Sequence, residues 1–290
     1  MSESENINVY HYKTNIPGPH LLVLGAIHGN EFCGPLAIKH FTKTIEENRL
    51  NLKSGCLTLI PICNPAAFKQ NKRFVEKNLN RVFKKHTDPK LYEEKLANIL
   101  TGYIDICDFM LDLHSQSSPG LPFVFQDYED TKTNNFARTV GVETIIKGWP
   151  EMYADANGLN AGDTANYAHE KNKIGIVVEC GQHEDARAPH VAYLAIVNSL
   201  IHLGMIDKPA TQSHQNHKII RGQIVFTVPE EGGHLVKEWQ HLQNISKGQE
   251  LAVSSTGKSI RAPYDSVILL PKYAAKASEE WFYLGTHEHR

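Results

Sequence analysis

Histidines and carboxylates stand in this chain where apolar runs stop. His28 and Glu31 occupy the turn His28-Gly29-Asn30-Glu31 after the apolar run 21–27, His114 closes the run 109–113, and Glu179 follows the run 174–178. An imidazole and a carboxylate three positions apart on one turn can reach a single ion, and nitrogen and oxygen donors of this kind suit zinc. Adding His114 gives two histidines and one carboxylate, a ligand set that leaves one position open for water, whereas structural zinc sites are usually closed and rich in cysteine. Hydrolysis is the chemistry that follows, with Glu179 removing a proton from water and returning it to a leaving nitrogen. Asp112 alternates to the same strand face as His114 and either orients that imidazole or serves as a buried structural aspartate. Amide hydrolysis also needs positive charge where the oxyanion develops, which a guanidinium such as Arg73 supplies. Arg81, beside Asn80, suits a bidentate clamp on a substrate carboxylate. The bland alternative for both arginines is a solvated loop charge.

These residues need a scaffold that brings distant strand ends together. The runs 21–27, 57–63, 109–114 and 174–181 read as buried strands, the second of them interrupted by Pro61. Between them, helical spacing is set by Ala37, Ile38, Phe41 and Ile45 after Gly34-Pro35, and by Tyr92, Leu96, Ile99, Leu100 and Tyr103 after an Asp88-Pro89 start signal. A further apolar helix runs from Pro189 to a stop at Gly204. Strand and helix in alternation predict a parallel sheet with crossover helices, whose strand ends share one edge. The stretch 115–173 is irregular, with short strands expected at 123–125 and 144–146 and turns at Asn157-Gly158 and Gly162-Asp163. A polar connector at 207–217 leads to short strands such as 223–228 and 266–270 separated by glycine turns. The expected division is therefore a catalytic domain at 1–207 and a small all-β domain at 208–290.

Composition narrows the function classes. Basic and acidic residues nearly balance, 30 against 32, so no broad field favours nucleic acid or an anionic membrane, and a small-molecule substrate is the expected partner, with a homo-oligomer an open option. No apolar stretch approaches the roughly 20 residues that cross a bilayer, and residues 1–6 are polar and acidic, so a cytoplasmic location is expected. The five cysteines, Cys33, Cys56, Cys63, Cys107 and Cys180, form no C-x-x-C pair and read as reduced core thiols. His183, His190, His287 and His289 read as ordinary surface histidines, and Cys180 as packing beside Glu179.

Taken in order, Gly25-x-x-His28-Gly29-Asn30-Glu31, Asn64-Pro65, Arg73, Asn80-Arg81, Asp112-Leu113-His114 and Glu179 resemble the motifs of the succinylglutamate desuccinylase/aspartoacylase family, relatives of the zinc carboxypeptidases. The likeness spans nearly the whole chain, since that family also ends in a β domain. It implies an α/β fold with a mostly parallel or mixed sheet flanked by helices. It further implies one zinc per chain on His28, Glu31 and His114, Glu179 as general base and acid, Arg73 polarising the scissile carbonyl, and Asn80 with Arg81 holding a substrate carboxylate. The expected function is a zinc-dependent deacylase cleaving the amide bond of an N-acyl amino acid or a similar small carboxylate-bearing amide. A carboxypeptidase-type metallopeptidase and a non-catalytic small-molecule-binding relative are the alternatives. The pattern departs from aspartoacylases in one place: they carry an arginine ten residues before the catalytic glutamate, and His169 stands there here. For the tyrosine that completes their pocket from the C-terminal domain, Tyr273 is an approximate match.

Overall fold

In a computed structural model, residues 6–154, 162–207 and 216–288 are described. Strands β2 (His20–Gly25), β4 (Phe109–Gln116) and β7 (Ile174–Gln182) lie side by side and parallel at the middle of an eleven-stranded mixed sheet. They read as continuous apolar runs because both faces are covered. Successive side chains go to opposite faces. Leu21, Val23, Leu111, Leu113, Ile176 and Val178 share one core with α1 (Cys33–Glu46), α4 (Thr131–Thr139) and α7 (Ala188–His202). Leu22, Leu24, Met110 and Val177 share the other with α3 (Tyr92–Ile106) and α6 (Thr164–Glu170). Asp112, His114 and Glu179 alternate onto this second face.

Several boundaries differ from the sequence expectation, each for a local reason. β2 stops at Gly25, two residues short of Ile27, because Ala26 adopts a left-handed φ of 46° and the carbonyls of Gly25 and Ala26 accept the amides of Cys63 and Asn64. β3 (Cys56–Ile60) ends just before Pro61 and pairs on both sides, with β1 (Tyr10–Lys13) and with β2. Proline therefore ends the strand without spoiling its ladder. α1 begins at Cys33, which puts Pro35 in the first turn where its missing N–H has no helical partner to lose. α3 begins at Tyr92 and not after Asp88, because the Glu94 carboxylate accepts the amides of Lys90 and Leu91 at 2.8 and 3.1 Å.

Within 115–173 the two expected strands form as β5 (Phe123–Phe125) and β6 (Thr144–Lys147). The same stretch holds three short helices, α4, α5 (Trp149–Ala154) and α6, whose few turns carry too little apolar periodicity to be read. The expected turn at Asn157-Gly158, most of the polar connector and His289 lie outside the described residues. After the connector the β region is present, and most of it continues the main sheet. β8 (Lys218–Thr227) pairs parallel with β6, followed by β14 (Glu280–His287), β13 (Ser266–Leu269) and β10 (Gln243–Ile245), all antiparallel. A separate three-stranded sheet joins β9 (Gly233–Leu235), β11 (Glu250–Ser254) and β12 (Ser259–Arg261).

Candidate metal centre and cleft

The turn between β2 and α1 is fixed from below by α2 (Pro65–Lys69). Asn64 caps α2, its Oδ1 accepting the Ala67 amide at 3.2 Å, with proline following at the first helical position. α2 packs so closely on Gly29 that a Cβ there would lie 2.1 Å from the Ala67 carbonyl carbon. His28 and Glu31 are thereby set facing His114, and all three are buried. The two imidazole centroids are 5.0 Å apart, and the candidate ligand atoms of the triad all lie within 4.8 Å of one another.

The hydrogen bonds around the triad say what it can hold. Asn78 Oδ1 accepts the Asn80 amide at 3.0 Å, so it is an oxygen, and His28 Nε2 lies 3.0 Å from it and must donate. His28 Nδ1 then carries its lone pair, and it points at Glu31 Oε1 2.8 Å away. His114 stands between two acids: Nε2 is 3.0 Å from Asp112 Oδ2 without the alignment of a hydrogen bond, and Nδ1 is 2.9 Å from Glu31 Oε2. Two neutral imidazoles would thus aim lone pairs at a carboxylate, an arrangement that demands protons or a cation between them. The donor set and the oriented imidazoles fit a divalent metal of the zinc type. Without one, burial and Arg73 pull His28 down to about 4. His114 is held well above its ordinary value by Asp112 and Glu31 against the opposing effect of burial. Glu31 also accepts the Ser115 amide at 3.0 Å and Arg73 Nη1 at 3.1 Å.

Glu179 sits opposite His114 in the register of β4 and β7. Its Oε2 is buried without a hydrogen-bond partner, and burial together with Glu31 pushes the carboxyl up to about 8. Arg73 is partly exposed on a loop that Glu93 holds in place. The fully buried Glu93 carboxylate accepts the amides of Val75, Glu76 and Lys77 at 2.7, 3.2 and 3.1 Å and the Asn64 side-chain amide at 3.3 Å. Asn80 is buried, its Oδ1 accepting the Thr164 amide at 3.2 Å.

Arg81, expected as a clamp on a substrate carboxylate, is itself paired with an acid of the chain. Its Nη2 donates to Glu280 Oε1 at 2.7 Å and to the Tyr153 hydroxyl at 2.8 Å, and its Nη1 donates to the Asn80 carbonyl at 2.8 Å. Lys272 Nζ reaches the other Glu280 oxygen at 2.6 Å. Two cations thus share one carboxylate and leave a surplus positive charge. Although burial opposes it, Arg81 and Lys272 hold the Glu280 carboxyl far below the usual carboxylate range.

These groups line two connected spaces. An outer cleft of about 590 Å³ is bordered by Arg73, Asn78, Arg81, Glu179, His183 and Lys272. A smaller inner cavity of about 80 Å³ runs past His28, His114 and Glu179 to Phe125, Asp127 and Trp149. Sequence reasoning missed Glu93, Lys272 and Glu280, which sit in unremarkable local sequence and acquire meaning only through contacts made far along the chain. His183, expected at the surface, is half-buried at the cleft with Nδ1 2.8 Å from Ser115 Oγ. His169 is exposed and stacks on Tyr128, centroids 3.4 Å apart. Tyr273 is 44% exposed and donates to the Trp239 carbonyl, whereas Tyr283 lines the inner cavity. Burial pushes the Cys180 thiol well up, which agrees with a packing role.

Fold and site together define a mixed α/β protein with a metal-ready histidine–glutamate–histidine triad at the carboxyl edge of its sheet. Residues 17–201 match the succinylglutamate desuccinylase/aspartoacylase catalytic domain, and the chain belongs to that family. A probable aspartoacylase from Nostoc sp. is 27% identical over 169 residues, 55% of this chain and 54% of that protein, so the chain spans about half the length of this curated relative. The succinylglutamate desuccinylase/aspartoacylase structure from Rhodobacter sphaeroides has the same fold, with a TM-score of 0.79 at 15% identity over 97% of this chain and 90% of that one. A succinylglutamate desuccinylase from Silicibacter sp. superposes with a TM-score of 0.76 at 19% identity, covering 97% and 89%. Among the described residues no helix is long and apolar enough to cross a membrane.

Proposed function

We propose that the protein is a zinc-dependent deacylase that cleaves the amide bond of an N-acyl amino acid or a similar small amide bearing a carboxylate. The observation that carries this reading is the pair of imidazole lone pairs aimed at Glu31 beside the buried, part-unpartnered Glu179. His28, Glu31 and His114 would hold a divalent ion, and the chemistry it would supply there is Lewis acidity toward a carbonyl and a water. Glu179 takes the proton from the attacking water and returns it to the leaving nitrogen. A carboxyl whose burial favours the protonated form is suited to giving that proton back. Arg73, at the cleft wall, donates to the oxygen on which negative charge develops. The surplus charge of Arg81 and Lys272 receives the free carboxylate of the amino acid, with Asn80 holding Arg81 in place through its carbonyl. Leu270, Lys272, Ser278 and Glu280 from the C-terminal region form one wall of the cleft, which favours small amides over long peptides. The reading places the enzyme in the cytoplasm, where five free cysteines, four of them buried, stay reduced.

Substituting Glu179→Gln tests this. The variant is expected to keep one zinc per chain by elemental analysis and to lose about 10²- to 10⁴-fold of turnover in a screen of acetyl, succinyl and formyl amino acids. Wild-type turnover in the variant would remove Glu179 from proton transfer. Undiminished hydrolysis by rigorously metal-free protein would remove the ion from the reaction.

A further inference from the structure

One residue of α6 bonds both to the acid behind His114 and to the asparagine beside Arg81. Thr164, fully buried, follows Asp163, whose Oδ1 accepts the Asn166 amide at 2.8 Å and caps the helix. An amide in the first turn of a helix has no helical acceptor, and that of Thr164 donates instead to Asn80 Oδ1 at 3.2 Å. Its hydroxyl donates to Asp112 Oδ2 at 2.6 Å. The helix is held close on the sheet. A Cβ on Gly175 of β7 would lie 2.9 Å from Ala168 Cβ, and the Tyr167 hydroxyl donates to Asp105 Oδ1 on α3 at 2.9 Å. Both contacts fix α6 beside the strand that carries Asp112 and His114.

Asp112 depends on that hydroxyl. The residue is fully buried, and among the described residues its Oδ1 has no hydrogen-bond partner. Its Oδ2 is 3.0 Å from His114 Nε2, close enough to attract but not aligned as a hydrogen bond, so the imidazole does not fix the rotation of the carboxylate. The Thr164 hydroxyl does, since a charge-assisted bond is about twice as strong as a neutral one. With Oδ2 turned to Nε2, its charge favours the proton on that nitrogen and leaves Nδ1 facing Glu31. A carboxylate free to rotate would loosen that preference.

We propose that Thr164 is a positioning residue whose hydroxyl sets the rotation of the Asp112 carboxylate and thereby the nitrogen that His114 offers to a metal ion, while its backbone amide, which substitution leaves in place, holds Asn80. This rests on the zinc-dependent deacylase reading, and its test separates the two. The zinc affinity of metal-stripped protein is measured by competition with a chromophoric chelator. Thr164→Val, which keeps the shape and removes the hydroxyl, is expected to weaken zinc binding about 10- to 100-fold, and Thr164→Ser, which keeps the hydroxyl, to stay within about threefold of the wild type. At saturating zinc, KM for an acyl amino acid is expected to change by less than about threefold in both, because the amide that serves Asn80 remains. Unchanged zinc affinity in the valine variant, an equal loss in the serine variant, or a KM that rises with the loss of the hydroxyl overturns the proposal and leaves the deacylase standing. If the wild type binds no zinc, the deacylase reading fails, and the imidazole nitrogen shifts of His114 by NMR decide the proposal alone. Shifts that valine moves and serine keeps support it, and shifts that valine leaves unmoved, or that serine moves as far, overturn it. Should Thr164→Val fail to fold, Thr164→Cys, whose thiol is a weaker donor of similar size, takes its place with the same outcomes.

Discussion

A methyl group added to Gly29 would meet backbone on α2, which no side-chain rotation can relieve. Gly29→Ala is therefore expected to cost about 2–4 kcal/mol and to lower zinc content, checked by denaturant unfolding and elemental analysis. The same turn was legible in the sequence, because a glycine between two would-be ligands marks a tight bend whatever surrounds it. His28, Glu31, His114, Asp112 and Glu179 were equally legible: each ends or adjoins an apolar run, and a parallel sheet gathers such ends. Arg81 was half legible. Its type and place beside Asn80 are visible, but the carboxylate that holds it belongs to β14, and nothing near residue 81 announces Glu280.

At the scale of elements, the loop that carries Arg73 and Asn78 has little regular structure, and Glu93 of α3 gathers the largest set of its bonds. Three backbone amides and one side-chain amide converge on Glu93. Glu93→Gln turns one acceptor oxygen into a donor facing those amides. A loss of about 2–4 kcal/mol is expected, together with fast hydrogen exchange at Val75, Glu76 and Lys77 and a drop in activity, since His28 loses its Asn78 partner with the loop. Hydrogen-exchange mass spectrometry on the 73–78 peptide checks this. The long helices were legible from their apolar stripes, whereas α4, α5 and α6, with nine, six and seven residues, were not. Helices that short are made by caps and by the surface they land on, and Asp130 and Asp163 show this through their bonds to the first-turn amides.

Across the whole molecule, β8, β14, β13 and β10 belong to the same sheet as the first two hundred residues, and several of their side chains to the same core. Ile220, Val267, Leu269 and Tyr283 pack into the core beneath α3 and α6, and β8 covers the outer edge of β6. A fragment ending at residue 207 is therefore expected to expose that edge and core, to bind a hydrophobic dye and to aggregate, measured by dye fluorescence and light scattering. His241 joins the two regions: its amide donates to the Pro119 carbonyl, its Nδ1 accepts the Leu270 amide at 3.0 Å, and its ring packs on Phe123. Burial holds it down to about 3 from 6.5. The unfolded chain then takes up a proton at His241 that the folded chain refuses, so stability is full above pH 6.5 and falls as the pH drops toward 3. By pH 5 the loss from this group is about 2 kcal/mol. Thermal melts from pH 7.5 to 5 are expected to show it, with a flatter slope in His241→Phe even if that variant melts lower throughout.

The salt link between Arg81 and Glu280 joins positions 199 residues apart. A ribosome releases the first long before the second, so a growing chain can assemble its histidine–glutamate–histidine trio while one wall of the cleft and the acid that balances two of its cations are still unmade. A product cut short before β14 would lack Glu280 and leave Arg81 and Lys272 without the acid that pairs them.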